Sequence, residues 1–300
     1  MSKVIPLSDA ISRLVQDGDC VYASGFTHLI PFAAGHEIIR QGKVNLVLAR
    51  ATPDLIYDQM VAAGCARKVI FSYMGNPGVG SLRIVRSAIE AGRLEWEEYS
   101  HFGMISRLQA GATGVPFMPM NPTAADDLAR VNPLIRTVID PYSGQPAVVV
   151  PALKPDVAIV HVQRCDAEGN AHIWGIIGEQ KEAAFAAERV IVTAEEIVDE
   201  SIIRSDPNRT LIPGFIVDAV CPVPHCAHPS YTQGYYDRDN AFYLEWDKIS
   251  SDTAAVKAYL DEWVYGVNDR EAYWEKLGPE VHQRLKVESR PSAVVDYGQY

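Results

Sequence analysis

The sequence predicts an α/β protein built on an open, mostly parallel sheet with helices on both faces, followed by a helical C-terminal extension. Short apolar runs typical of buried strands alternate along the chain with amphipathic helical segments, and this rhythm produces parallel sheets covered by helices. The chain has 300 residues, of which 48% are hydrophobic, so it can bury a large core.

The N-terminal part of the chain alternates regularly between the two patterns. We expect Ser8 to cap the first helix, and Gly42 and Gly92 to end two later helices, since glycine is favoured directly after a helix. The expected strands are residues 20–26, 45–50, 68–74 and 94–100, and the expected helices are residues 9–16, 36–40, 54–63, 81–91 and 105–114.

A segment rich in Pro, Asn and Asp, residues 120–145, interrupts this alternation, and we interpret it as an excursion or flap. The pattern then resumes, with a β-hairpin around the turn at residues 166–170. Further strands are expected at residues 147–153, 156–166, 189–198 and 215–224, with a helix at residues 179–188. We expect one domain over residues 1–250, with residues 251–300 as a helical extension packed on it.

Charge and composition exclude several classes of protein. With a net charge of -11, the chain lacks the basic footprint that nucleic-acid binding needs, and any anion site must be built locally. The five cysteines form no CxxC pair, which indicates reduced thiols rather than disulfides or a zinc site. No apolar stretch is typical of a signal peptide or a membrane span. We therefore expect a cytoplasmic protein with no membrane and no nucleic-acid partner.

The loop after the first expected strand is a candidate binding site, because ligands of open α/β sheets bind at the carboxyl ends of the strands. Gly25 lets the backbone approach a ligand, and the peptide N–H groups of the loop can hold an oxyanion or a carboxylate. A plain turn at Gly25 is the alternative. The residues of this candidate site are Ser24, Gly25, Phe26, Thr27 and His28.

A second glycine-rich loop, residues 75–81, precedes an expected helix that begins at Ser81, as anion-binding loops do. Its glycine spacing matches neither a phosphate-binding loop nor a dinucleotide fingerprint. Arg83 and Arg86 would follow on one face of the helix, available for a carboxylate or a phosphate, or forming only a solvated basic face. The candidate binding residues of the loop are Asn76, Gly78, Val79 and Gly80.

Histidines mark two further segments. His101 follows an expected strand and could donate a hydrogen bond to a substrate or act in acid–base chemistry, although most single histidines are structural. His225, Cys226 and His228 stand close together, but their spacing matches no common zinc pattern. We expect a packed loop there and no metal.

These segments together resemble the A (alpha) subunits of family I CoA-transferases. The resemblance begins with Asp17-Gly18-Asp19, the apolar strand after it, and Ser24-Gly25-Phe26-Thr27 with Pro31, although the family signature has glycine where Ser24 stands. It continues in order to about Asp247 and so covers nearly the whole chain. The other segments that carry it are HEIIRQG, NPGVGSLR, GVPFMP, PDVAIVHVQ, HIWG, VTAEEIVDE, CAHPSY and GYYDRDN.

The resemblance implies an enzyme whose catalytic nucleophile is on another polypeptide. In the family, a glutamate on the B (beta) subunit first attacks an acyl-CoA and then carries the CoA as a glutamyl-CoA thioester. The B-subunit signature Glu-Asn-Gly does not occur here, since residues 168–170 read Glu-Gly-Asn in an expected turn. We therefore expect that the partner is a B subunit, in a heterotetramer of two A and two B chains. Coenzyme A thioesters would be substrates, and no cofactor would be tightly bound.

The resemblance also implies a substrate class. The backbone N–H groups of residues 25–28 and 76–80 would stabilise the thioester oxyanion. Family members acting on 3-oxoadipate have histidine where His101 stands, and those acting on glutaconate have glutamine there and serine in place of Pro77. We thus expect His101 to bind the distal carboxylate or keto group of a short dicarboxylate such as 3-oxoadipate, with succinyl-CoA as donor.

Two alternatives remain open at the level of the sequence. One is a CoA-thioester or ring-opening hydrolase on the same scaffold, whose steroid-degrading members have an acidic residue at the position of His101. The other is a non-catalytic acyl-CoA-binding subunit, because a fold alone does not determine a function.

Overall fold

The structure, a computed structural model, describes residues 2–76, 80–121 and 127–287. Strands and helices alternate along these residues. The strands are β1 (Cys20–Ala23), β2 (Leu46–Ala49), β3 (Ala66–Phe71), β4 (Gly75–Asn76), β5 (Gly80–Ser81), β6 (Glu95–Glu98), β7 (Phe117–Met120), β8 (Arg136–Ile139), β9 (Pro146–Pro151), β10 (Val157–Cys165), β11 (Ala171–His172), β12 (Arg189–Ile197), β13 (Thr210–Ile212) and β14 (Ala219–Pro222). The helices are α1 (Leu7–Leu14), α2 (Phe32–Arg40), α3 (Leu55–Ala62), α4 (Arg83–Glu90), α5 (His101–Thr113), α6 (Leu128–Val131), α7 (Gln180–Ala186), α8 (Glu200–Ser205), α9 (Asn240–Ile249), α10 (Thr253–Leu260), α11 (Arg270–Leu277) and α12 (Pro279–Arg284).

A mostly parallel sheet runs through the centre, with nine strands among the described residues. Its parallel strands lie in the order β14-β12-β10-β1-β2-β3-β6. The antiparallel strands β11 and β13 extend it beside the end of β10, where the predicted hairpin turns back. The expected mostly parallel sheet is therefore confirmed.

Helices cover both faces of this sheet, because successive residues of a strand point to opposite sides. Val21 and Leu48 pack into an apolar cluster with residues of α2 and α3. Their chain neighbours Tyr22 and Ala49 belong to a second cluster, with residues of α5 and α7. This arrangement confirms the predicted fold class.

Part of the chain forms a second, smaller sheet that the sequence does not predict. Strands β7, β9 and β8 pair antiparallel to one another. The strand expected at residues 147–153 is confirmed as β9, and it belongs to this second sheet. The predicted excursion at residues 120–145 contains β8 and α6 within its described part. All four residues of β8 are exposed, so the strand leaves no apolar pattern in the sequence.

Two predicted helix starts are also wrong. Leu7 is the first residue of α1 and Pro6 precedes it, so Ser8 lies inside the first turn rather than capping it. Helix α4 begins at Arg83, because Ser81 pairs with Gly75 in the hairpin of β4 and β5. Backbone pairing of this kind is invisible to a rule based on residue type.

Two helices of the C-terminal part, α9 and α10, pack on the first face of the sheet. Trp246 of α9 and Tyr259 of α10 are buried in the same apolar cluster as Val21 and Leu48. The division of the chain near residue 250 stays a prediction. No helix of the described residues has the length and apolar character that spanning a bilayer requires.

Candidate active site

Segments from four neighbouring strands meet at the carboxyl edge of the sheet. Strand β1 leads into residues 24–28, β2 into Arg50 and Thr52, β3 into Ser72, and β6 towards His101 at the start of α5. These strands are consecutive neighbours and all parallel, so their carboxyl ends lie along one edge. Ligands of open α/β sheets bind at such an edge.

Gly25 makes a sharp turn at this edge. Its φ of +121° lies in the region that favours glycine, and a Cβ built on it would lie 2.6 Å from the carbonyl oxygen of Leu29. Thr27 and Leu29 also have positive φ, of 59° and 56°. The turn therefore requires glycine, because any side chain at this position would overlap the backbone.

Two donors from distant segments hold this strained loop. The Arg50 guanidinium donates from Nη2 to the carbonyl oxygen of Gly25 at 2.6 Å. The Ser230 hydroxyl donates to the carbonyl oxygen of Thr27 at 2.9 Å. Unusual backbone conformations persist only where the surrounding structure fixes them, so these bonds preorganise the loop.

The side chains of Ser24 and His28 are buried and form hydrogen bonds inside the protein. The N–H and the hydroxyl of Ser24 both donate to the carbonyl oxygen of Ile159, at 3.0 and 3.3 Å. His28 Nε2 donates to the carbonyl oxygen of Ile176 at 2.6 Å, and burial lowers the pKa of His28 to about 4. The Ser24 N–H and hydroxyl are therefore already used, and the buried His28 ring has one nitrogen, Nδ1, without a partner among the described residues.

Phe26 and Thr27 form the outer part of the loop. Phe26 packs against Gly178, where an added Cβ would lie 2.6 Å from the Cβ of Phe26. Thr27 is exposed, and its hydroxyl lies 3.4 Å from that of Tyr231. The loop therefore reaches solvent at Thr27.

A buried ion pair fixes the segment that supports the loop from behind. His161 Nε2 and Glu195 Oε1 lie 2.8 Å apart between β10 and β12. Glu195 also accepts hydrogen bonds from the Tyr236 hydroxyl and the His225 N–H, both at 2.8 Å. Burial opposes a charge on His161, but Cys226 and Glu195 outweigh it and raise the pKa of His161 to about 10. The pair anchors residues 225–236, which include Ser230.

The second candidate loop is the hairpin of β4 and β5. Gly78 and Val79 lie outside the described residues. Asn76 is buried in β4, and Gly80 in β5 has a φ of +131°. A Cβ on Gly80 would lie 2.9 Å from Asp247 Oδ1, so this hairpin packs closely on α9.

Arg83 is engaged within the chain rather than free for a ligand. Its Nε and Nη2 donate to the two carboxylate oxygens of Asp247, at 2.8 and 3.1 Å. Arg86 is exposed and lies 3.9 Å from Glu90. The structure thus favours the solvated basic face over an anion site for these two arginines.

His101 is held by two hydroxyl groups at the exposed start of α5. Its Nε2 lies 2.8 Å from Thr52 Oγ1, and its Nδ1 lies 3.0 Å from Ser72 Oγ. Ser72 Oγ donates to the carbonyl oxygen of Ala51 at 2.6 Å. The Ser100 hydroxyl accepts from the third N–H of the helix and so starts it at His101. The ring is therefore fixed against the ends of β2 and β3.

Buried carboxyl groups lie around Arg50. Glu179 accepts a hydrogen bond from the Tyr22 hydroxyl at 2.9 Å, and Asp54 caps α3. Burial raises the pKa of both carboxyl groups, and the Arg50 guanidinium partly offsets this. Arg50 is 1% exposed, and its Nε and Nη1 have no hydrogen-bond partner among the described residues. Glu179 and Asp54 are only 2% and 3% exposed, so both are enclosed by the protein.

His225, Cys226 and His228 do not converge on a common point. His225 stacks on Trp274 with ring centroids 3.8 Å apart, while His228 Nε2 lies 3.2 Å from a carboxylate oxygen of Asp239. Cys226 is fully buried. Within the described ranges, no group of three or more His, Cys, Asp and Glu side chains is placed to hold a metal ion.

The region that contains this edge matches a known family. Residues 4–222, which include the whole central sheet, both candidate loops and His101, match the family described as Coenzyme A transferase. The chain belongs to the coenzyme A transferase family. The edge that holds the candidate site therefore lies inside the region of this CoA-transferase that matches the family.

Relatives of known name agree with this assignment. The CoA-transferase is 48% identical over 280 residues to the A subunit of 3-oxoadipate CoA-transferase from Pseudomonas knackmussii, covering 92% of this chain and 99% of that protein. It is 36% identical over 305 residues to the A subunit of glutaconate CoA-transferase from Acidaminococcus fermentans, covering 96% and 95%. The crystal structure of glutaconate coenzyme A-transferase from that organism has a TM-score of 0.90 at 35% identity, covering 95% of this chain and 96% of that one.

Three residues of this edge are not predicted from the sequence: Arg50, Thr52 and Ser72. Each follows closely on an apolar strand, which is the position where ligands of such sheets bind, so a signal is present. Their contacts with Gly25 and His101 join segments far apart in the chain. Local spacing does not reveal contacts of that kind.

Proposed function

We propose that this chain is the A subunit of a two-subunit CoA-transferase that moves CoA from succinyl-CoA to a short dicarboxylate such as 3-oxoadipate. The observation that carries the proposal is the 48% identity to the A subunit of a 3-oxoadipate CoA-transferase, along 99% of the length of that protein. The position of His101 at the carboxyl edge of the sheet supports the substrate class.

The attacking carboxylate would come from the B subunit. The enclosure of Glu179 and Asp54 supports this, since neither could reach a thioester. A glutamate of the B subunit would attack the thioester carbonyl and release CoA, forming an acyl-glutamyl anhydride. The CoA thiolate would then attack the glutamyl carbonyl, giving a glutamyl-CoA thioester and the free carboxylate. The acceptor carboxylate would take the CoA by the same steps in reverse.

The loop at Gly25 would stabilise the negative charge that develops on the thioester oxygen. Peptide N–H groups act best when they are held in place before the reaction, since no reorganisation is then needed. The bonds from Arg50 and Ser230 to the loop carbonyls support this role. The backbone of the second loop, near Asn76 and Gly80, would complete the same wall of the cleft.

The assembly would be a heterotetramer of two A and two B chains. The experiment is co-expression of the chain with its B subunit, followed by mass measurement of the complex. Transfer of CoA from succinyl-CoA is then measured to 3-oxoadipate, adipate, glutaconate and acetate. We expect transfer to the dicarboxylates by the complex, a glutamyl-CoA adduct on the B chain by mass spectrometry, and no transfer by this chain alone.

Two results would contradict the proposal. One is full-rate transfer by this chain alone through an adduct on one of its own side chains. The other is release of free CoA by the complex at the same rate with and without an acceptor, which indicates a hydrolase.

A further inference from the structure

Thr52, His101 and Ser72 form a continuous hydrogen-bond chain at the carboxyl edge of the sheet. Ser72 donates to the carbonyl oxygen of Ala51 at 2.6 Å, and a carbonyl oxygen can only accept. The single hydrogen of the Ser72 hydroxyl is therefore used there. The contact of 3.0 Å between Ser72 Oγ and His101 Nδ1 then requires that Nδ1 carries the hydrogen and Ser72 accepts.

The direction of the hydrogen bond between Thr52 and His101 follows from the same count of hydrogens. In a neutral imidazole with hydrogen on Nδ1, Nε2 has only a lone pair. The contact of 2.8 Å between Thr52 Oγ1 and His101 Nε2 is then a hydrogen bond donated by Thr52. A neutral His101 consequently has no N–H to offer a substrate, and the donor that a ligand can recruit is the Thr52 hydroxyl.

A ligand that accepts the hydrogen of the Thr52 hydroxyl favours a second proton on the ring of His101. If Thr52 turns its hydrogen to a ligand carboxylate, Nε2 loses its donor. A proton taken from solvent onto Nε2 restores the contact, because the ring then donates to Thr52 Oγ1. The completed chain runs from the imidazolium through Thr52 to the carboxylate, and every hydrogen in it has an acceptor.

We propose that Thr52 is the binding residue for the distal carboxylate of a dicarboxylic acyl group, and that His101 takes up one proton as that carboxylate binds. This inference rests on the proposed function, because it names the residue that would select dicarboxylates. Thr52 is half-buried and His101 is exposed, so both are accessible to a ligand. The positive charge gained by His101 would offset the second negative charge of the substrate.

The charged groups around the ring are compatible with this charge balance. Glu179 is close enough for His101 to influence its ionisation, and burial against Tyr22 raises the pKa of its carboxyl group. Arg50 beneath it donates to Gly25 and does not reach solvent.

The first test compares Thr52→Val with Thr52→Ser in the complex with the B subunit. The rate of glutamyl-CoA formation is measured with succinyl-CoA and with butyryl-CoA, which has the same chain length but no distal carboxylate. We expect Thr52→Val to lower kcat/KM for succinyl-CoA roughly 10- to 100-fold, the value of one hydrogen bond to a charged group. The rate of Thr52→Val with butyryl-CoA should stay within about threefold of wild type. Thr52→Ser, which keeps the hydroxyl, should have a kcat/KM for succinyl-CoA close to that of wild type. Equal losses with both substrates would overturn the inference.

The second test measures the protonation of the two ring nitrogens of His101 directly and needs no enzyme activity. Nitrogen chemical shifts of the ring are measured on the ¹⁵N-histidine-labelled full chain, and the signals of His101 among the eight histidines are assigned by their loss in His101→Gln. We expect hydrogen on Nδ1 in the free chain, the other tautomer to gain population in Ser72→Ala, and both nitrogens to be protonated with saturating adipate.

The two tests separate the inference from the proposed function. The inference would be overturned, whatever the activity, if the neutral ring of His101 carried its hydrogen on Nε2 in the free wild-type chain. It would also be overturned if adipate left the protonation of the two ring nitrogens unchanged. A ring that is protonated by adipate, in a complex that transfers no CoA, would instead leave the binding role intact and contradict the proposed function.

Discussion

The guanidinium of Arg50 and the carbonyl oxygen of Gly25 are joined by a hydrogen bond of 2.6 Å, although 25 residues separate them in the chain. Through this bond the end of β2 fixes the conformation of the loop that follows β1. Arg50 also supplies the positive charge next to the buried carboxyl groups of Glu179 and Asp54. One side chain thus links the stability of the edge to the geometry of its loop.

Replacement of Arg50 should reduce both stability and catalysis. Arg50→Met removes the buried hydrogen bond to the carbonyl oxygen of Gly25, so we expect the free energy of unfolding to fall by about 1–3 kcal/mol. The measurement is denaturant unfolding of the chain, with kcat of the complex measured in parallel. Arg13→Met is the matched control, because Arg13 pairs with Asp9 on the surface and should contribute at most about 1 kcal/mol. Equal losses in the two variants would show that Arg50 has no special role.

Gly25→Ala should disrupt the loop, because its new Cβ would lie 2.6 Å from the carbonyl oxygen of Leu29. We expect a loss of at least about 2 kcal/mol in the free energy of unfolding, and a fall in kcat of the complex. Gly18→Ala is the control: its φ is +90°, but no atom lies within 4 Å of the added Cβ. It should cost about 1 kcal/mol and leave kcat unchanged. An active and stable Gly25→Ala complex would contradict the strained-loop interpretation.

The ion pair of His161 and Glu195 should make stability depend on pH. The folded pKa of His161, about 10, lies above its usual 6.5, so its contribution is complete below pH 6.5 and is lost as pH rises through 10. The pKa of Glu195 is lowered from 4.5 because contacts with His161 outweigh burial, so its contribution is present above pH 4.5 and lost in acid. We expect the stability difference between wild type and Glu195→Gln to be about 3–5 kcal/mol between pH 4.5 and 6.5.

That difference should shrink steadily towards pH 10, and denaturant unfolding at several pH values measures it. Glu196→Gln is the control, because Glu196 is exposed on the same strand and should change stability by at most about 1 kcal/mol at any pH. A difference that is independent of pH would argue against an ion pair.

His101→Ala should lower kcat/KM for a dicarboxylate acceptor by about tenfold or more, since the Thr52 hydroxyl loses the ring that orients it. The complex with the B subunit should remain assembled, which size-exclusion chromatography checks. His282→Ala serves as the control, because His282 lies on α12 and contacts the carbonyl oxygen of Trp274. Unchanged acceptor kinetics in His101→Ala would remove His101 from the site.

Much of the fold could be predicted from the sequence because burial of both sheet faces leaves continuous apolar runs. The runs around Val21, Leu48 and Ile159 mark β1, β2 and β10 correctly. Strand β8 could not be found in this way, since its residues are all exposed and backbone pairing with β9 alone places it. The prediction for Ser81 is wrong for the same reason, because a residue suited to start a helix instead pairs in a hairpin.

The residues of the candidate site also differ in how clearly the sequence indicates them. The turn at Gly25 is visible because glycine indicates an unusual backbone, and His101 is visible through the family resemblance. The signal for Arg50 and Ser72 is only their position after an apolar strand, and it is weak because a single polar residue there usually indicates only that the strand has ended. Their roles depend on partners from other strands, which only the folded chain brings together.

The consecutive residues Arg50, Ala51 and Thr52 contact both halves of the site, the loop at Gly25 and the ring of His101. Arg50 donates a hydrogen bond to the carbonyl oxygen of Gly25. The carbonyl oxygen of Ala51 accepts one from Ser72, and Thr52 contacts His101. Because one short stretch of backbone joins them, any displacement moves both halves together and keeps the gap between them constant. We expect this gap to select the number of methylene groups between the two carboxyls of the substrate. Mutations in side chains that line the cleft should then alter how tightly a diacid binds more readily than which chain length is preferred.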